Sequence, residues 1–260
     1  MADQTLVIHF EKLKDIGQRG VRRAAAFVAM GQKAWSDENI KSVTIEMPFS
    51  LQLLPDPLPK ELADEVRSSF RRWVMGNALS EIVQGLSLFA DEYFRIATLL
   101  KFHEKPVSQE ALESIRRFRN DTSMSTKLNK IETECGLKSG LIEHAEGWVR
   151  ARNAIAHNRG VTNERSIPQG GNELAVTWRK FEFSIDGERI DNIIGHFVEK
   201  GGVLGFKWIN GGKTFALGTS VDFSEEEIMN ICMTAYMFVD TMTADLNKRL
   251  EETASKNKSR

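Results

Sequence analysis

Arginine, histidine and asparagine side chains cluster in residues 148–160, which read WVRARNAIAHNRG. Arg152 and His157 are separated by four residues, and an asparagine directly follows each of them. A guanidinium binds two phosphate oxygens through its planar fork and keeps its charge, whereas an imidazole titrates near neutrality and exchanges protons. These residue types therefore suit the cleavage of a phosphodiester bond.

Cleavage of RNA without a metal needs a base for the 2'-hydroxyl proton, an acid for the departing 5'-oxygen and positive charge beside the phosphorane. We assign proton transfer to His157 and phosphate charge to Arg152. Asn153 lies four residues before His157, so on a helix the two share a face and the Asn153 amide can orient the imidazole. One stretch supplies only one histidine, so the reaction is easier with two copies.

Arg152 and His157 do not share a face of a regular helix, because five residues turn the chain by about 140° and advance it by about 7.5 Å. We therefore expect the helix to end or distort between them. Asn158 and Gly160 are the candidates for the terminating turn.

Further basic and amide side chains flank this stretch and are candidates for RNA binding. Arg150, Asn158, Arg159 and Arg165 can hold phosphates on either side of a cleaved bond. The alternative is that these arginines form an ordinary solvated helix face.

The run from Arg152 to His157 resembles the Arg-x4-6-His signature of the HEPN superfamily (higher eukaryotes and prokaryotes nucleotide-binding). The resemblance implies a helical bundle, metal-independent endoribonuclease activity without a cofactor, and a homodimer whose two motifs face each other in a shared cleft. It also implies a toxin, phage-defence or stress role, with any antitoxin or regulator unidentified. In HEPN toxins paired with a nucleotidyltransferase antitoxin, a tyrosine stands two residues beyond the histidine, where this chain has Arg159.

A second hypothesis keeps the fold without the chemistry. In that case the chain is a non-catalytic HEPN-like module for RNA binding or dimerisation, and the basic end of the helix holds RNA, a nucleotide or a protein partner.

The composition limits how RNA is recognised and where the protein works. There are 35 basic and 36 acidic residues, so RNA binding must come from a local patch. Cys135 and Cys232 are the two cysteines, which excludes a disulfide framework and favours a reducing, cytoplasmic location. We expect no membrane span, because no uncharged apolar run approaches the ~18 residues that one requires.

Metal and nucleotide sites are not indicated. The histidines at positions 9, 103, 144 and 196 show no metal-ligand spacing with one another or with a carboxylate. Residues 210–214 end like a phosphate-binding loop, but Lys207 stands where that loop needs its first glycine. We interpret this run as a hairpin turn instead.

Hydrophobic periodicity predicts a mainly α fold, a HEPN-like helical bundle with a small antiparallel β insertion before the last helix. The predicted parts are an N-terminal helix and proline-rich loop (1–59), a helical core with the motif (60–160), a β-hairpin insertion (161–223), a C-terminal helix (224–252) and a frayed tail (253–260). Phe118 and Trp148 are expected in the core.

Within these parts, one apolar stripe from Leu62 to Leu100, which includes Phe70 and Trp73, predicts one very long helix or two joined near Gly76. Local signals predict helix starts at Ser108, at Ser123 and at Ser224, the last with Glu227 as a capping box.

The β regions are predicted from alternation and turn residues. Residues 42–48 suggest a short extended piece, after which prolines at 48, 55, 57 and 59 oppose regular structure. A strand over 175–185 turns at Asp186-Gly187, and a second hairpin over 203–217 turns at Asn210-Gly211-Gly212.

Overall fold

A computed structural model describes residues 8–36, 44–46, 50–52, 58–102, 106–120, 123–136, 140–190 and 201–258. The elements within these ranges are α1 (Phe10–Trp35), β1 (Thr44–Glu46), β2 (Ser50–Gln52), α2 (Lys60–Leu100), α3 (Gln109–Asn120), α4 (Met124–Cys135), α5 (Ile142–His157), β3 (Glu173–Ile185), β4 (Glu188–Ile190), β5 (Leu204–Ala216) and α6 (Glu225–Lys258). The predicted mainly helical class with a small antiparallel sheet is confirmed.

Short side-chain caps begin three of the helices, as their sequences predict. Ser108 Oγ accepts a hydrogen bond from Ala111 N at 3.1 Å, and Ser123 Oγ accepts one from Thr126 N at 3.3 Å. At the start of α6, Ser224 and Glu227 form the complete reciprocal capping box. These bonds satisfy amide groups that the first turn of a helix leaves unpaired.

Helices α1, α2 and α6 pack together around the main core. The approach of α1 to α2 depends on Gly20, because a β-carbon there would overlap the Glu81 carbonyl oxygen. Phe89 and Tyr93 of α2 are fully buried, and the Tyr93 hydroxyl donates to Asp245 Oδ2 of α6 at 3.0 Å. Phe118 and Trp148 lie in this core, as predicted.

The long predicted helix is confirmed as one continuous element through Gly76, but its first half is not the buried stripe that we expect from the sequence. Phe70 is 37% exposed and Trp73 is 64% exposed. Their spacing matches the apolar period, but the bundle does not cover this part of α2.

A smaller expectation is also wrong. Residues 50–52 form β2, which pairs antiparallel with β1, so regular structure returns within the proline-rich region. Helix α6 continues to Lys258, and the fraying of residues 253–260 stays a prediction. The prolines at 48, 55 and 57, and the histidines at 103 and 196, lie outside the described residues.

The predicted second hairpin is wrong, because β5 runs straight through Asn210-Gly211-Gly212. All thirteen residues of β5 pair antiparallel with β3. Gly211 lies opposite Trp178, and a β-carbon there would lie 2.6 Å from the Trp178 indole nitrogen. Glycine at this position therefore makes room for a buried tryptophan rather than a turn. The Asp186-Gly187 turn between β3 and β4 is confirmed.

Candidate functional site

Helix α5 carries the candidate residues and is regular from Ile142 to His157. The expected end or distortion between Arg152 and His157 is therefore wrong. Alanines are strong helix formers, and here they surround Ile155, whose side chain packs on Gly76 of α2. Nothing in this stretch favours an earlier break.

The helix ends where the terminating turn is predicted. The N–H groups of Asn158 and Gly160 both donate to the Ala154 carbonyl, at 3.0 and 3.2 Å. Gly160 is left-handed with φ 78°, and Arg159 before it is also left-handed with φ 55°. A left-handed arginine is strained by roughly 1–2 kcal/mol, so the chain holds the Arg159 side chain outside the helix at a cost in stability.

The first half of α5 lies against the edge of β3. His144 Nδ1 lies 2.6 Å from Thr177 Oγ1, and Trp148 Nε1 donates to the Thr177 carbonyl at 2.8 Å. A β-carbon at Gly147 would lie 2.8 Å from the Ala175 carbonyl oxygen. These contacts determine how far α5 extends past the sheet and so where its last turn lies.

The chain that leaves α5 is held against the segment before α6. Val221 N donates to the Gly160 carbonyl at 2.7 Å, and Thr162 N donates to the Thr219 carbonyl at 2.9 Å. Arg71 of α2 bonds to Glu225 at 2.9 Å and to the Phe223 carbonyl at 3.3 Å. The end of α5 therefore lies beside α2 and the start of α6.

At this end of the helix, the Arg152 and Asn153 side chains are hydrogen-bonded to each other and His157 is exposed. Arg152 Nη1 donates to Asn153 Oδ1 at 3.1 Å, while Arg152 Nε is buried without a hydrogen-bond partner among the described residues. His157 and Asn153 both face solvent. The predicted contact of Asn153 with the imidazole stays a prediction, and the Asn153 oxygen is occupied by Arg152.

The flanking basic residues divide between α5 and the loop after it. Arg150 is half-buried, and its Nη1 lies 3.5 Å from the Ile167 carbonyl, which brings the loop containing Arg165 towards α5. Arg159 and Arg165 are exposed, and Asn158 is the half-buried C-cap residue. On a regular helix Arg150 and His157 differ by only about 20° in direction, so they lie on the same side.

Charge pairing distinguishes these arginines from others in the chain. Arg22, Arg71 and Arg95 each pair with a carboxylate. Within the described ranges no carboxylate forms an ion pair with any of four arginines near the end of α5, which are Arg150, Arg152, Arg159 and Arg165. Their positive charge is therefore available to an anion.

The sequence does not indicate that α2 contributes to this surface. It does so through Gly76, which contacts Ile155 of α5. Trp73, one turn before Gly76, is exposed, but it stacks on Phe70, whose ring centroid lies 6.2 Å from that of Trp35 of α1. The ring contacts of Trp73 are therefore on the α1 side of α2.

Other reactive side chains are separated from this surface. Burial raises the pKa of Cys135 to about 11 and that of Cys232 to about 12, so both thiols are protonated at neutral pH. Among the described residues no group of three or more histidine, cysteine or acidic side chains is arranged to hold a metal ion. No helix in those ranges has an apolar stretch long enough to span a membrane.

The contact of His144 with Thr177 predicts a pH dependence of folding. Burial, and then the nearby charge of Arg179, lowers the pKa of His144 below the ordinary value of 6.5. The folded chain therefore keeps His144 neutral at a pH where the unfolded chain binds a proton. His144 contributes its full stability above about pH 6.5, and this contribution falls as the pH drops below that value.

We expect the free energy of unfolding of wild type to fall more steeply below pH 6.5 than that of His144→Asn. The asparagine keeps a hydrogen-bonding group near Thr177 but does not titrate. Urea denaturation across a series of pH values measures the difference between the two proteins. Parallel pH profiles would contradict the assignment.

Comparison of the chain with protein-family models, curated proteins and solved structures finds no match. The candidate site consists of the exposed His157, Arg152 hydrogen-bonded to Asn153, and the surrounding arginines.

Proposed function

We propose that the protein is a metal-independent endoribonuclease of HEPN type, with Arg152 and His157 as its catalytic residues. One observation carries the proposal. His157 is the last residue of α5 and is exposed, and the arginines near it have no carboxylate partner in the described part of the chain. Histidine supplies proton transfer near neutrality, and unpaired arginines supply the positive charge that a phosphodiester attracts.

The reaction needs a proton to be moved at each of two oxygens. A base removes the proton of the 2'-hydroxyl, whose oxygen attacks the adjacent phosphorus and breaks its bond to the 5'-oxygen of the next nucleotide. An acid gives that departing 5'-oxygen a proton. The products are a 2',3'-cyclic phosphate and a 5'-hydroxyl. An arginine fork bound to the non-bridging oxygens stabilises the charge that builds up between these steps.

The regular helix supports an active site shared between two copies of the chain. Because α5 does not distort, the Arg152 and His157 side chains project about 140° apart around the helix. The two side chains of one α5 therefore point towards different regions of solvent and not towards one phosphate. Two helix ends that face each other would bring His157 of one copy towards Arg152 of the other. Two copies would also supply two histidines, one as base and one as acid.

The cytoplasmic location, which the two cysteines favour, belongs to the same proposal. So does the role in toxicity, phage defence or stress, which follows from the resemblance of the motif. The non-catalytic RNA-binding or dimerisation module remains the contrasting outcome of the experiments below.

Substitution of the two proposed catalytic residues tests the chemistry. With RNA in EDTA, we expect His157→Ala to slow cleavage by about 100-fold or more, since it removes a general acid or base. Arg152→Ala should slow cleavage by about 100-fold or more through loss of phosphate stabilisation. Rates are measured from labelled RNA resolved on denaturing gels.

Two matched variants control for the loss of a surface histidine or arginine. His9 is exposed at the start of α1, and Arg116 is exposed on α3. His9→Ala and Arg116→Ala should cleave at the wild-type rate. If wild type binds RNA but does not cleave any of a varied set, the chain is a binding module and the catalytic proposal fails.

Mixing wild type with an inactive variant tests the shared site. When wild type and the double variant His157→Ala/Arg152→Ala are combined in equal amounts and allowed to exchange, half of the dimers are mixed. A mixed dimer lacks one histidine and one arginine of the shared cleft, so we expect about a quarter of the activity of the same total amount of wild type, whereas sites within single chains would keep about half.

The outcome separates two architectures. Wild-type protein with the same exchange treatment is the control for loss of activity during mixing. If the mixture keeps about half of the wild-type activity while exchange is shown by differently tagged chains, both residues act within one chain and the shared cleft is wrong.

A further inference from the structure

The outer half of the sheet has one face made almost entirely of large apolar side chains. Cross-strand pairs on this face are Phe181 with Trp208, Phe183 with Phe206, and Ile185 with Leu204. We call these six residues the distal face. Phe206 is 66% exposed and Leu204 is 54% exposed, and the other four are half-buried against one another.

Apart from Ile209, the opposite face of the same strands carries no large apolar side chain, so the distal face is not simply a part of the core. Glu182 pairs with Lys207 at 2.6 Å on that side and lies 3.6 Å from Arg189. These charged side chains indicate that the opposite face is in contact with solvent. The apolar side chains of the distal face are therefore not explained by burial in the core.

Aromatic rings on the distal face form a connected group. The ring centroids of Phe181 and Trp208 are 3.8 Å apart, and those of Phe181 and Phe206 are 5.9 Å apart in an edge-to-face arrangement. Such rings offer flat π surfaces at a fixed position, which is what unpaired bases use for stacking.

The polar residues next to the rings favour an anionic ligand. Arg179 precedes Phe181 by two residues and so lies on the same face, directly opposite Asn210. No carboxylate among the described residues forms an ion pair with Arg179. The positions of β3 and β5 that share this face, from 179 to 185 and from 204 to 210, include no acidic residue. Glu188 of β4 lies on this face opposite Ile185, at the end of the sheet far from Arg179.

The size of the distal face argues against a stable protein dimer. An aromatic side chain carries ~150–250 Å² of surface, and four of the six side chains are half-buried, so the face offers about 500 Å². Each partner in a stable protein complex contributes about 800 Å². A few stacked bases need much less.

We propose that the distal face is a platform for single-stranded RNA, with bases stacked on Phe206 and Trp208 and a phosphate held by Arg179. This inference rests on the proposed function, since it names single-stranded RNA as the substrate class.

The platform is remote from His157. Thr177 contacts His144 while Ala175 lies beside Gly147, so β3 and α5 run in opposite directions. From His144 to His157 the helix advances by about 20 Å, and the strand continues away from that end towards Phe183 by roughly another 20 Å. The platform therefore holds RNA at a distance from the cleaved bond, so it should favour long single strands over short ones.

Binding of a fluorescein-labelled oligouridylate, measured by anisotropy in the His157→Ala protein, tests the platform without cleavage. We expect Phe206→Ala to weaken binding by about tenfold, in line with the loss of one stacked base. Trp208→Ala should have a similar effect. Phe27→Ala, which removes an exposed aromatic side chain from α1, should leave the dissociation constant within about twofold of the parent. A duplex of the same length should bind more weakly than the single strand.

The other possible outcomes also decide whether the platform exists. Because Phe206 is largely exposed, its alanine variant should melt at the parent temperature even if Trp208→Ala unfolds. If Phe206→Ala binds the single strand as the parent does, or if the parent does not bind it, the platform is wrong. If Phe206→Ala instead dissociates a dimer in sedimentation without a change in RNA binding, the face is a protein interface and the platform is again wrong.

Failure of the platform and failure of the proposed function are distinguishable. Cleavage that depends on His157 but not on Phe206 would remove the platform and leave the enzyme. Binding that depends on Phe206, in a wild-type protein that cleaves no RNA, would leave the platform and remove the enzyme.

Discussion

The position of α5 against the edge of β3 is the contact on which the candidate site depends. The edge of a strand carries backbone groups that need partners, and helices supply them here. Trp148 donates to the Thr177 carbonyl, and Thr234 of α6 accepts from Arg179 N at 2.8 Å. Gly147 allows the close approach, because a larger residue would meet the Ala175 carbonyl. One strand therefore positions both the motif helix and the final helix.

This arrangement explains why the motif lies at an open end. With the first half of α5 held on β3, its last turns extend past the sheet, where Ile155 packs on Gly76 and His157 faces solvent. The left-handed Arg159 and Gly160 then turn the chain back to Val221. The scaffold thus leaves a basic helix end uncovered, and its straightness separates Arg152 from His157. In this account a second copy of the chain restores their proximity.

The parts of the fold that sequence analysis predicts well are those determined by local physics. Ser224 and Glu227 satisfy each other's amide groups within one turn, so the start of α6 can be read directly from the sequence. Gly160 ends α5 for an equally local reason. The mistakes depend on distant partners. Gly211 looks like a turn residue until Trp178 is placed opposite it, and Trp73 looks buried until the packing of α2 is known. The same limit applies to the site, where the link between Arg152 and Asn153 depends on side-chain conformation that spacing does not determine.

The chemical identity of the ends that wild-type protein leaves on RNA in EDTA tests the proposed reaction most directly. Attack by the 2'-hydroxyl, with proton transfer by His157 and charge stabilisation by Arg152, leaves a 2',3'-cyclic phosphate and a 5'-hydroxyl. Mass spectrometry of the fragments distinguishes these ends from the products of water attack. We expect cyclic phosphate ends that form equally well with and without EDTA. Fragments with 3'-hydroxyl and 5'-phosphate ends, formed only when a divalent cation is present, would contradict the proposed reaction.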